Sequence, residues 1–374
     1  MSSKQISLYF HIPFCTKKCD YCHFYVLPDR EVLKDPLLHS FELEWKFWQP
    51  QIQKREIVSI YFGGGTPSLW GADRVHQILE RIRKESLFAK GIEITLEANP
   101  ENLSFELVKE YQQAGINRVS IGVQSLNNPL LKILSRTHSA EKALESIYQT
   151  KHAGIDNISI DLMYDIPHQT LQDWSSTLEQ VKPLPITHLS LYNLTIEPYT
   201  SFYKRKSEIE SKLPASEIST EMYLSAIESL ESVSLKQYEI SAFAKNNCYS
   251  RHNIGYWLGR EFIGMGPSAF SYWQGKRFRN IANFNKYQSL LQESKSPVDF
   301  EEQLDPSAHK RELLVLALRV LSGCSLDSFG TLEKETMDTL KRLIQEEYLQ
   351  NQNQQISLTK KGILFYDDVA AELI

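Results

Sequence analysis

The sequence lacks an apolar run long enough to cross a membrane. The best candidate, residues 313–321, has nine residues and contains Arg319, whereas a bilayer-spanning helix needs about 20 apolar residues. The amino terminus also lacks the long apolar segment and small-residue cleavage site of a signal peptide. These two absences predict a protein that stays in the cytoplasm.

Positive charge is in deficit relative to negative charge. The 374 residues include 41 Lys and Arg against 46 Asp and Glu, which gives a formal net charge of -5. Because a surface that binds nucleic acid is normally basic, we expect no nucleic-acid partner. Repeats and low-complexity segments are absent, and a hydrophobic fraction of 42% lets the chain bury a large core. Disordered and collagen-like proteins are thereby excluded.

Cysteine is sparse, yet three of the five cysteines are crowded together. Cys15, Cys19 and Cys22 lie within eight residues, whereas the other two cysteines stand alone. In a reducing compartment such crowding indicates metal ligation or redox chemistry. Three thiolates on one loop can bind zinc with His23 or His11 as a fourth ligand. They can equally hold an iron-sulfur cluster, and the spacing alone does not decide between the two.

Short β-branched or aromatic runs alternate with segments of helical period from residue 6 to about residue 192. This alternation predicts parallel strands linked by crossover helices. The predicted strands are residues 6–12, 57–62, 92–97, 118–122, 157–163 and 187–192, and the predicted helices include residues 36–48, 72–85, 104–114, 140–152 and 171–181. The fold class is therefore α/β with about six βα units. Periodicity does not distinguish a partial barrel from an open doubly wound sheet.

Polar or conformationally special residues follow the predicted strands. They are His11, residues 63–67, residues 97–100, Gln124, residues 161–167 and Asn193. Because the carboxyl ends of parallel strands share one edge, these residues predict a single site built from many loops. The turn at residues 63–67, GGGTP, lacks the lysine of a P-loop, and its glycines allow close approach of the backbone to a ligand.

The patterns after residue 193 are weaker. Residues 193–215 look irregular, and the basic triplet at residues 204–206 predicts a solvated turn. The carboxyl-terminal part predicts a helix over residues 309–321, a second over 331–348, a strand at 355–358 and a last helix from Gly362. This arrangement resembles a winged-helix module, which in an acidic chain favours a packing domain over a nucleic-acid reader.

The spacing CxxxCxxCxF resembles the radical S-adenosylmethionine (radical SAM) superfamily, and the glycine turn about forty residues later strengthens the resemblance. Further segments resemble the branch that contains oxygen-independent coproporphyrinogen III oxidase and its heme-chaperone relatives. They are LYFHIPFCTKKCDYCHF, IYFGGGTPSLW, EITLEANPENL, INRVSIGVQSLN, ISIDLMYDIPHQT, HLSLYNLTIEP, QYEISAFAK, RHNIGYW and FIGMGPSAF. Together they cover most of residues 6–285, and the tail ELLVLALRV to LTKKG resembles the carboxyl-terminal domain of that branch.

The resemblance implies a partial (β/α)6 TIM-like barrel of the radical SAM type. It implies a core domain over residues 1–215, a tetrapyrrole-associated extension over 216–300, and a mainly helical, winged-helix-like domain over 301–374. In the superfamily three cysteines, here Cys15, Cys19 and Cys22, bind a 4Fe-4S cluster whose open iron is chelated by SAM. The residues that fall on SAM-site positions are Tyr9, Tyr21, Gly64, Gly65, Thr66, Glu97, Gln124, Arg136 and Asp161. Their chemistry fits, since carboxylates suit an ammonium or ribose hydroxyls and a guanidinium suits a carboxylate.

Departures from the oxidase pattern bear on function. Oxidases of this branch carry a further cysteine where Phe24 stands, and a longer leading segment than the 14 residues that precede Cys15. The segment HNIGYW resembles a motif linked with heme binding in the chaperone branch, which makes His252 the candidate heme residue. A neutral imidazole can ligate heme iron while aromatic rings cover the macrocycle. Cys248 is an alternative ligand, and a histidine buried in the core is the purely structural alternative.

Three functions follow from the resemblance. The first, favoured by Phe24, the short leading segment and HNIGYW, is a heme chaperone that carries heme as cargo to a membrane hemoprotein. It implies a low-potential electron donor such as flavodoxin or ferredoxin, transient membrane association and a homodimer. The second is an oxidase that converts coproporphyrinogen III to protoporphyrinogen IX. The third is a radical SAM enzyme acting on another tetrapyrrole or on RNA, the latter suggested by Lys360 and Lys361.

Overall fold

The computed structural model describes residues 5–374. Its strands are, in chain order, β1 (Gln5–Ile12), β2 (Phe14–Cys15), β3 (Leu27–Pro28), β4 (Glu56–Gly64), β5 (Leu87–Ala98), β6 (Arg118–Gln124), β7 (Asn157–Tyr164), β8 (His188–Asn193), β9 (Lys236–Glu239), β10 (Ala242–Ala244), β11 (Phe262–Met265), β12 (Phe270–Trp273), β13 (Lys276–Asn280), β14 (Val298–Gln303), β15 (Cys324–Ser325), β16 (Leu349–Gln352) and β17 (Gln355–Leu358). Its helices are α1 (Lys34–Ile52), α2 (Ala72–Glu85), α3 (Phe105–Ala114), α4 (Asn128–Ile133), α5 (Ala140–His152), α6 (Leu171–Val181), α7 (Ser201–Lys204), α8 (Lys206–Glu210), α9 (Ser216–Glu231), α10 (Arg251–Trp257), α11 (Phe284–Gln292), α12 (Pro306–Leu318), α13 (Lys334–Gln345), α14 (Lys360–Leu364) and α15 (Tyr366–Leu373).

Twelve strands form one sheet. Their order is β14-β13-β12-β11-β1-β4-β5-β6-β7-β8-β10-β9. The seven central strands, from β11 to β8, run parallel, and antiparallel strands extend the sheet at both edges. Within residues 5–374 the two outermost strands do not pair with each other, so the sheet is open. The predicted partial barrel of the radical SAM type, with six βα units, is confirmed.

Strand β1 illustrates why these sequences form buried parallel strands. Ile6, Leu8 and Phe10 belong to the main hydrophobic core, whereas Tyr9 and His11 face a cavity inside the barrel. Side chains alternate between the two faces of a strand, and a parallel sheet is covered on both faces. The same alternation therefore fills the core and carries functional side chains to the lumen.

The segment at residues 193–215 differs from its prediction. The short helices α7 and α8 form where irregular structure was predicted, while the basic triplet is exposed and contains the turn residue Arg205 between them, as predicted. The Arg205 guanidinium pairs with the Asp20 carboxylate of the cysteine loop at 3.2 Å, and the Phe202 backbone amide donates to the Asp20 carbonyl oxygen. This segment therefore anchors the cysteine loop from outside.

Residues 216–303 extend the barrel sheet at both of its edges. Strand β11 joins the parallel strands beside β1, while β9 and β10 continue the sheet beyond β8. The sheet thus runs across residue 215, and β14 spans residue 300. The division of the chain at these two positions remains a proposal.

The carboxyl-terminal part has its own hydrophobic cluster, formed by α12, α13, α15 and the three-stranded sheet β15-β17-β16. The last predicted helix is divided into α14 and α15 at Phe365. The Arg319 guanidinium lies 4.3 Å from the Trp257 ring centroid and 3.3 Å from the Glu239 carboxylate, which ties this part to the barrel. Among residues 5–374, no helix combines the length and apolarity needed to cross a bilayer.

Candidate functional site

Two adjoining cavities open at the carboxyl ends of the parallel strands. The smaller has a volume of about 410 Å³, and eleven of the twelve residues assigned by resemblance to the cluster or to SAM line it. These eleven are Cys15, Cys19, Tyr21, Cys22, Gly64, Gly65, Thr66, Glu97, Gln124, Arg136 and Asp161. Tyr9 is the exception, because it lies on the wall of the larger cavity of about 720 Å³. The predicted convergence of many strand ends on one site is thus present.

The cysteine loop is closed at its base by a short parallel pair, β2 with β3. The Leu27 amide donates to the Pro13 carbonyl oxygen, and the Asp29 amide donates to the Cys15 carbonyl oxygen. Within the loop the Cys22 amide donates to the Cys19 carbonyl oxygen at 3.1 Å. These backbone bonds hold the three thiols at the edge of the smaller cavity.

Burial disfavours the thiolate form of two of the three cysteines. It raises the pKa of Cys15 to about 11 and also raises the pKa of Cys22. The Cys15 sulfur lies 3.5 Å from the Thr66 hydroxyl, and Arg136 Nη1 donates to the Cys19 sulfur at 3.5 Å. A bound cation would favour the thiolate form of Cys15 and Cys22, since metal ligands must be deprotonated.

The three thiols fit an iron-sulfur cluster. Within the described chain, no three His, Cys, Asp or Glu side chains are arranged to hold one metal ion together. The His11 ring is occupied by Tyr9 and by the Tyr25 carbonyl oxygen. A tetrahedral zinc site needs ligands that meet at one point, whereas a four-iron cluster gives each thiolate its own iron. The three thiolates of the cysteine loop can therefore each bind one iron of a cluster.

The glycine turn is built for close packing. The Gly65 amide donates to the Ile12 carbonyl oxygen at 2.8 Å, and the Thr66 amide donates to the Phe14 carbonyl oxygen at 2.7 Å. A β-carbon on Gly65 would lie 2.7 Å from the Phe14 carbonyl oxygen, and Gly64 has a positive φ of 111°. Only glycine fits this turn without strain. The turn thus uses these amides to fix itself against the cysteine loop.

Two carboxylates stand on neighbouring strand ends. Glu97 accepts hydrogen bonds from the Tyr61 hydroxyl at 2.7 Å and from the Gly64 amide at 3.1 Å. Burial raises its pKa to about 7, and burial also raises the pKa of Asp161, which accepts from the Ser120 hydroxyl. A cationic or hydroxyl-bearing ligand in the smaller cavity would compensate both groups.

Arg136 spans the floor of the smaller cavity. Its Nη2 donates to Asn99 Oδ1 at 2.7 Å and to the Gly122 carbonyl oxygen at 2.8 Å, while its buried Nε has no partner among the described residues. Asn99 in turn donates to the Thr66 hydroxyl at 3.2 Å. Gln124, at the end of β6, adopts a left-handed φ of 64°. An arginine with a free donor beside the thiols suits a ligand carboxylate.

The larger cavity is aromatic. Ten aromatic side chains line it, namely Tyr9, Phe24, Tyr25, Tyr61, Tyr192, Tyr256, Trp257, Phe262, Phe270 and Tyr272. It shares His23, Phe24, Gly64, Glu97 and Tyr192 with the smaller cavity. A flat, apolar molecule bound there would therefore lie beside the cysteine site.

His252 lies on α10 at the wall of the larger cavity, but both of its ring nitrogens are occupied. Nδ1 lies 3.0 Å from the Ser59 hydroxyl, and Nε2 lies 2.7 Å from the Tyr256 hydroxyl. Burial lowers its pKa to about 3, so the ring is neutral. Cys248 lines neither cavity. Sequence reasoning missed Arg260 in the larger cavity, because no sequence signal assigned that residue a role. It included Asn99 among the strand-end residues without predicting its bonds to Arg136 and Thr66, and it assigned His23 only as a candidate zinc ligand.

The open parallel barrel with a cysteine loop at its strand ends defines a radical SAM protein. The sequence profile of the radical SAM superfamily matches residues 9–181, and that of the HemN C-terminal domain matches residues 304–365. The heme chaperone HemW of Lactococcus lactis subsp. lactis (strain IL1403) is 34% identical, with 97% of this chain and 95% of that protein covered. The heme chaperone HemW of Bacillus subtilis (strain 168) is 31% identical, with 97% of each covered. Among solved structures, coproporphyrinogen III oxidase (HemN) from Escherichia coli superposes with a TM-score of 0.86 at 21% identity, covering 99% of this chain and 90% of that one.

This chain belongs to the HemW family of the radical SAM superfamily. The resemblance predicted from the motifs is thereby confirmed. Membership of the superfamily implies a 4Fe-4S cluster and SAM, as predicted. The likeness to HemN shows a shared fold.

Proposed function

We propose that this chain is a heme chaperone that holds a 4Fe-4S cluster and SAM in the smaller cavity and heme in the larger one. The observation that carries the proposal is the aromatic cavity of about 720 Å³ that shares a wall with the cysteine site. Cavities of this size and lining are typical of sites for large apolar ligands. We infer that the ligand is heme because the HemW relatives are heme chaperones.

The residues of the smaller cavity would divide the binding of the cluster and SAM among them. Cys15, Cys19 and Cys22 would ligate three irons, and Arg136 would bind the carboxylate of SAM through its unpartnered Nε. The other cofactor-binding residues of the proposal are Tyr9, Tyr21, Gly64, Gly65, Thr66, Glu97, Gln124 and Asp161. A reduced cluster supplies an electron to SAM when both are bound. The protein residues fix the geometry of these groups and exclude water from them.

His252 would take part in heme binding as a wall residue. Its bonds to Ser59 and Tyr256 hold the Tyr256 ring edge-on to the imidazole, with ring centroids 4.8 Å apart. Tyr256 in turn packs against Phe262, with centroids 4.4 Å apart. His252 thus shapes the aromatic surface that the macrocycle would contact.

The partners belong to the same proposal. We place the protein in the cytoplasm with transient membrane association, because the relatives carry heme and the expected acceptor is a membrane hemoprotein. A flavodoxin or ferredoxin would suit as the low-potential electron donor, and a homodimer is the proposed assembly. We propose no nucleic-acid partner.

Heme loading tests the function directly. Protein with its cluster rebuilt under anaerobic conditions is mixed with SAM and a strong reductant, and then with heme or with coproporphyrinogen III in parallel. We expect stoichiometric heme binding, transfer of that heme to an apo-hemoprotein, and no protoporphyrinogen IX. Turnover of coproporphyrinogen III without stable heme binding would instead support the oxidase that the HemN-like fold allows.

Arg260 gives a prediction about how the cargo is oriented. Its Nη1 donates to the Arg251 carbonyl oxygen at 2.9 Å and to the Ser7 hydroxyl at 3.3 Å, and it forms no ion pair within residues 5–374. A guanidinium in an aromatic cavity that forms no ion pair and is attracted only through space by the Glu93 carboxylate suits a heme propionate. Because a hydrogen bond to a charged group contributes about 1.5–3 kcal/mol, Arg260→Met should weaken heme binding by roughly 10- to 150-fold.

Two matched controls test whether the positive charge of Arg260 is what binds the propionate. Arg251→Met removes a guanidinium that bonds to the Gly91 carbonyl oxygen and lines neither cavity, so heme affinity should stay unchanged. Heme dimethyl ester, which has no propionate charge, should bind the wild type and Arg260→Met equally. A spectrophotometric titration measures all five affinities. Equal loss of heme and ester binding in Arg260→Met would contradict a propionate contact.

A further inference from the structure

Three histidines line the larger cavity: His11, His23 and His252. An imidazole ligates iron through the lone pair of a ring nitrogen, so that nitrogen must be free. The cargo proposed above contains iron. Which of the three rings can reach that iron is therefore decided by their hydrogen bonds.

Two of the rings are closed to a ligand. His11 is bound between the Tyr9 hydroxyl at Nδ1, 3.0 Å, and the Tyr25 carbonyl oxygen at Nε2, 2.9 Å. His252 is bound in the same way between the Ser59 and Tyr256 hydroxyls. Both rings are buried, with exposed fractions of 4% and 1%. Iron ligation by either ring would break a buried hydrogen bond and leave its partner unsatisfied.

His23 differs from His11 and His252 in both exposure and hydrogen bonding. Its side chain is exposed, and among residues 5–374 neither of its ring nitrogens has a hydrogen-bond or ion-pair partner. The ring packs against Phe24, with centroids 4.6 Å apart, which leaves its nitrogen edges open. Its backbone belongs to the cysteine loop, which is fixed by the β2–β3 pair and by the Phe202 contact to Asp20. A free imidazole is thus presented from an anchored loop.

His23 lies where the two cavities meet. It is one of the few residues that line both cavities, so its ring stands on the wall between the aromatic cavity and the cysteine site. We propose that His23 supplies the axial ligand to the iron of a bound heme, while His252 shapes the cavity wall without touching the iron. This inference rests on the proposed heme-carrier function and names the ligand within that site.

The test compares His23→Gly with the wild type, using full-length protein with its cluster rebuilt, loaded with ferric heme. The readouts are the heme dissociation constant and the electron paramagnetic resonance signal of the heme. We expect the wild type to show a nitrogen-ligated heme. His23→Gly should lose that signal and bind heme at least about tenfold more weakly, since even the loss of an outer-shell partner costs a metal site roughly 10- to 100-fold. Added imidazole should restore the signal.

Three variants make the result unambiguous. His76→Ala changes an exposed histidine on α2 that lines neither cavity, and it should behave as the wild type. His252→Gln should keep the nitrogen-ligated signal even if its affinity falls. His23→Met should shift the signal to that of a thioether-ligated heme, which decides the matter if His23→Gly loses its cluster. The iron and sulfide content before heme loading reports cluster retention.

The possible outcomes separate the two proposals. A wild type that binds no heme would overturn the carrier function and this inference with it. A wild-type signal in His23→Gly or His23→Met, or its loss in His252→Gln alone, would overturn the role of His23 and leave the carrier function standing.

Discussion

Replacing Cys19 with serine should abolish the iron-sulfur cluster. The Cys19 sulfur is one of three thiol sulfurs on the loop, is proposed to ligate iron, and accepts a hydrogen bond from Arg136 Nη1. A serine hydroxyl is a much harder and less acidic donor, and thiolates are the ligands that iron-sulfur clusters require. We expect the iron content after anaerobic reconstitution to fall from about four per chain to near zero. The broad thiolate-to-iron absorption should vanish as well.

The chain provides its own control for this experiment. Cys248 is a partly exposed cysteine that lines neither cavity, so Cys248→Ser should retain the full cluster. A Cys19→Ser protein that retains four irons would show that the loop is not the ligand set. Stoichiometric zinc in the wild type after purification, with no iron uptake, would restore the single-ion interpretation of the three cysteines.

Glu97→Gln should weaken SAM binding and remove its dependence on pH. Glu97 is a carboxylate at the end of β5, held by the Tyr61 hydroxyl and the Gly64 amide, and burial raises its pKa to about 7. The group is protonated below that pH and charged above it. Because the charged form attracts a cationic ligand, SAM affinity of the wild type should rise as pH increases through about 7.

The magnitude follows from the strength of charged hydrogen bonds. Such bonds contribute about 1.5–3 kcal/mol, so at pH 8 Glu97→Gln should bind SAM roughly 10- to 150-fold more weakly. Calorimetric titration of cluster-loaded protein between pH 6 and pH 8 measures both effects. Glu106→Gln, an exposed change on α3, should keep the pH dependence of the wild type. A flat wild-type profile, or an unchanged slope in Glu97→Gln, would contradict the assignment.

The local periodicity of the sequence predicted most of the strands and helices of the barrel. The six predicted strands and the five predicted helices between them are confirmed, with boundaries shifted by a few residues. Strand β5 begins five residues before its predicted start, and α12 begins three residues before its own. These elements could be predicted because the hydrophobic patterns of buried parallel strands and amphipathic helices lie in residues that are close together along the chain. The clustering of polar residues at the strand ends followed from the same logic.

Long-range packing decided the rest. Strand β11 pairs with β1, although about 250 residues separate them, and no local pattern marks that pairing. The family resemblance pointed to His252, yet only the fold brings Ser59, 193 residues away, against its ring. Only the fold, likewise, leaves the His23 ring open on the wall between the two cavities.

The sequence by itself therefore determined the fold class, the cysteine loop and the family, because each is encoded in residues that are close together along the chain. Only the tertiary structure decided which histidine of the larger cavity is free and that Arg260 lies there without an ion pair. The physical reason is that hydrogen-bond satisfaction of a buried group depends on side chains contributed by distant strands. Those are the contacts on which the proposed heme site depends.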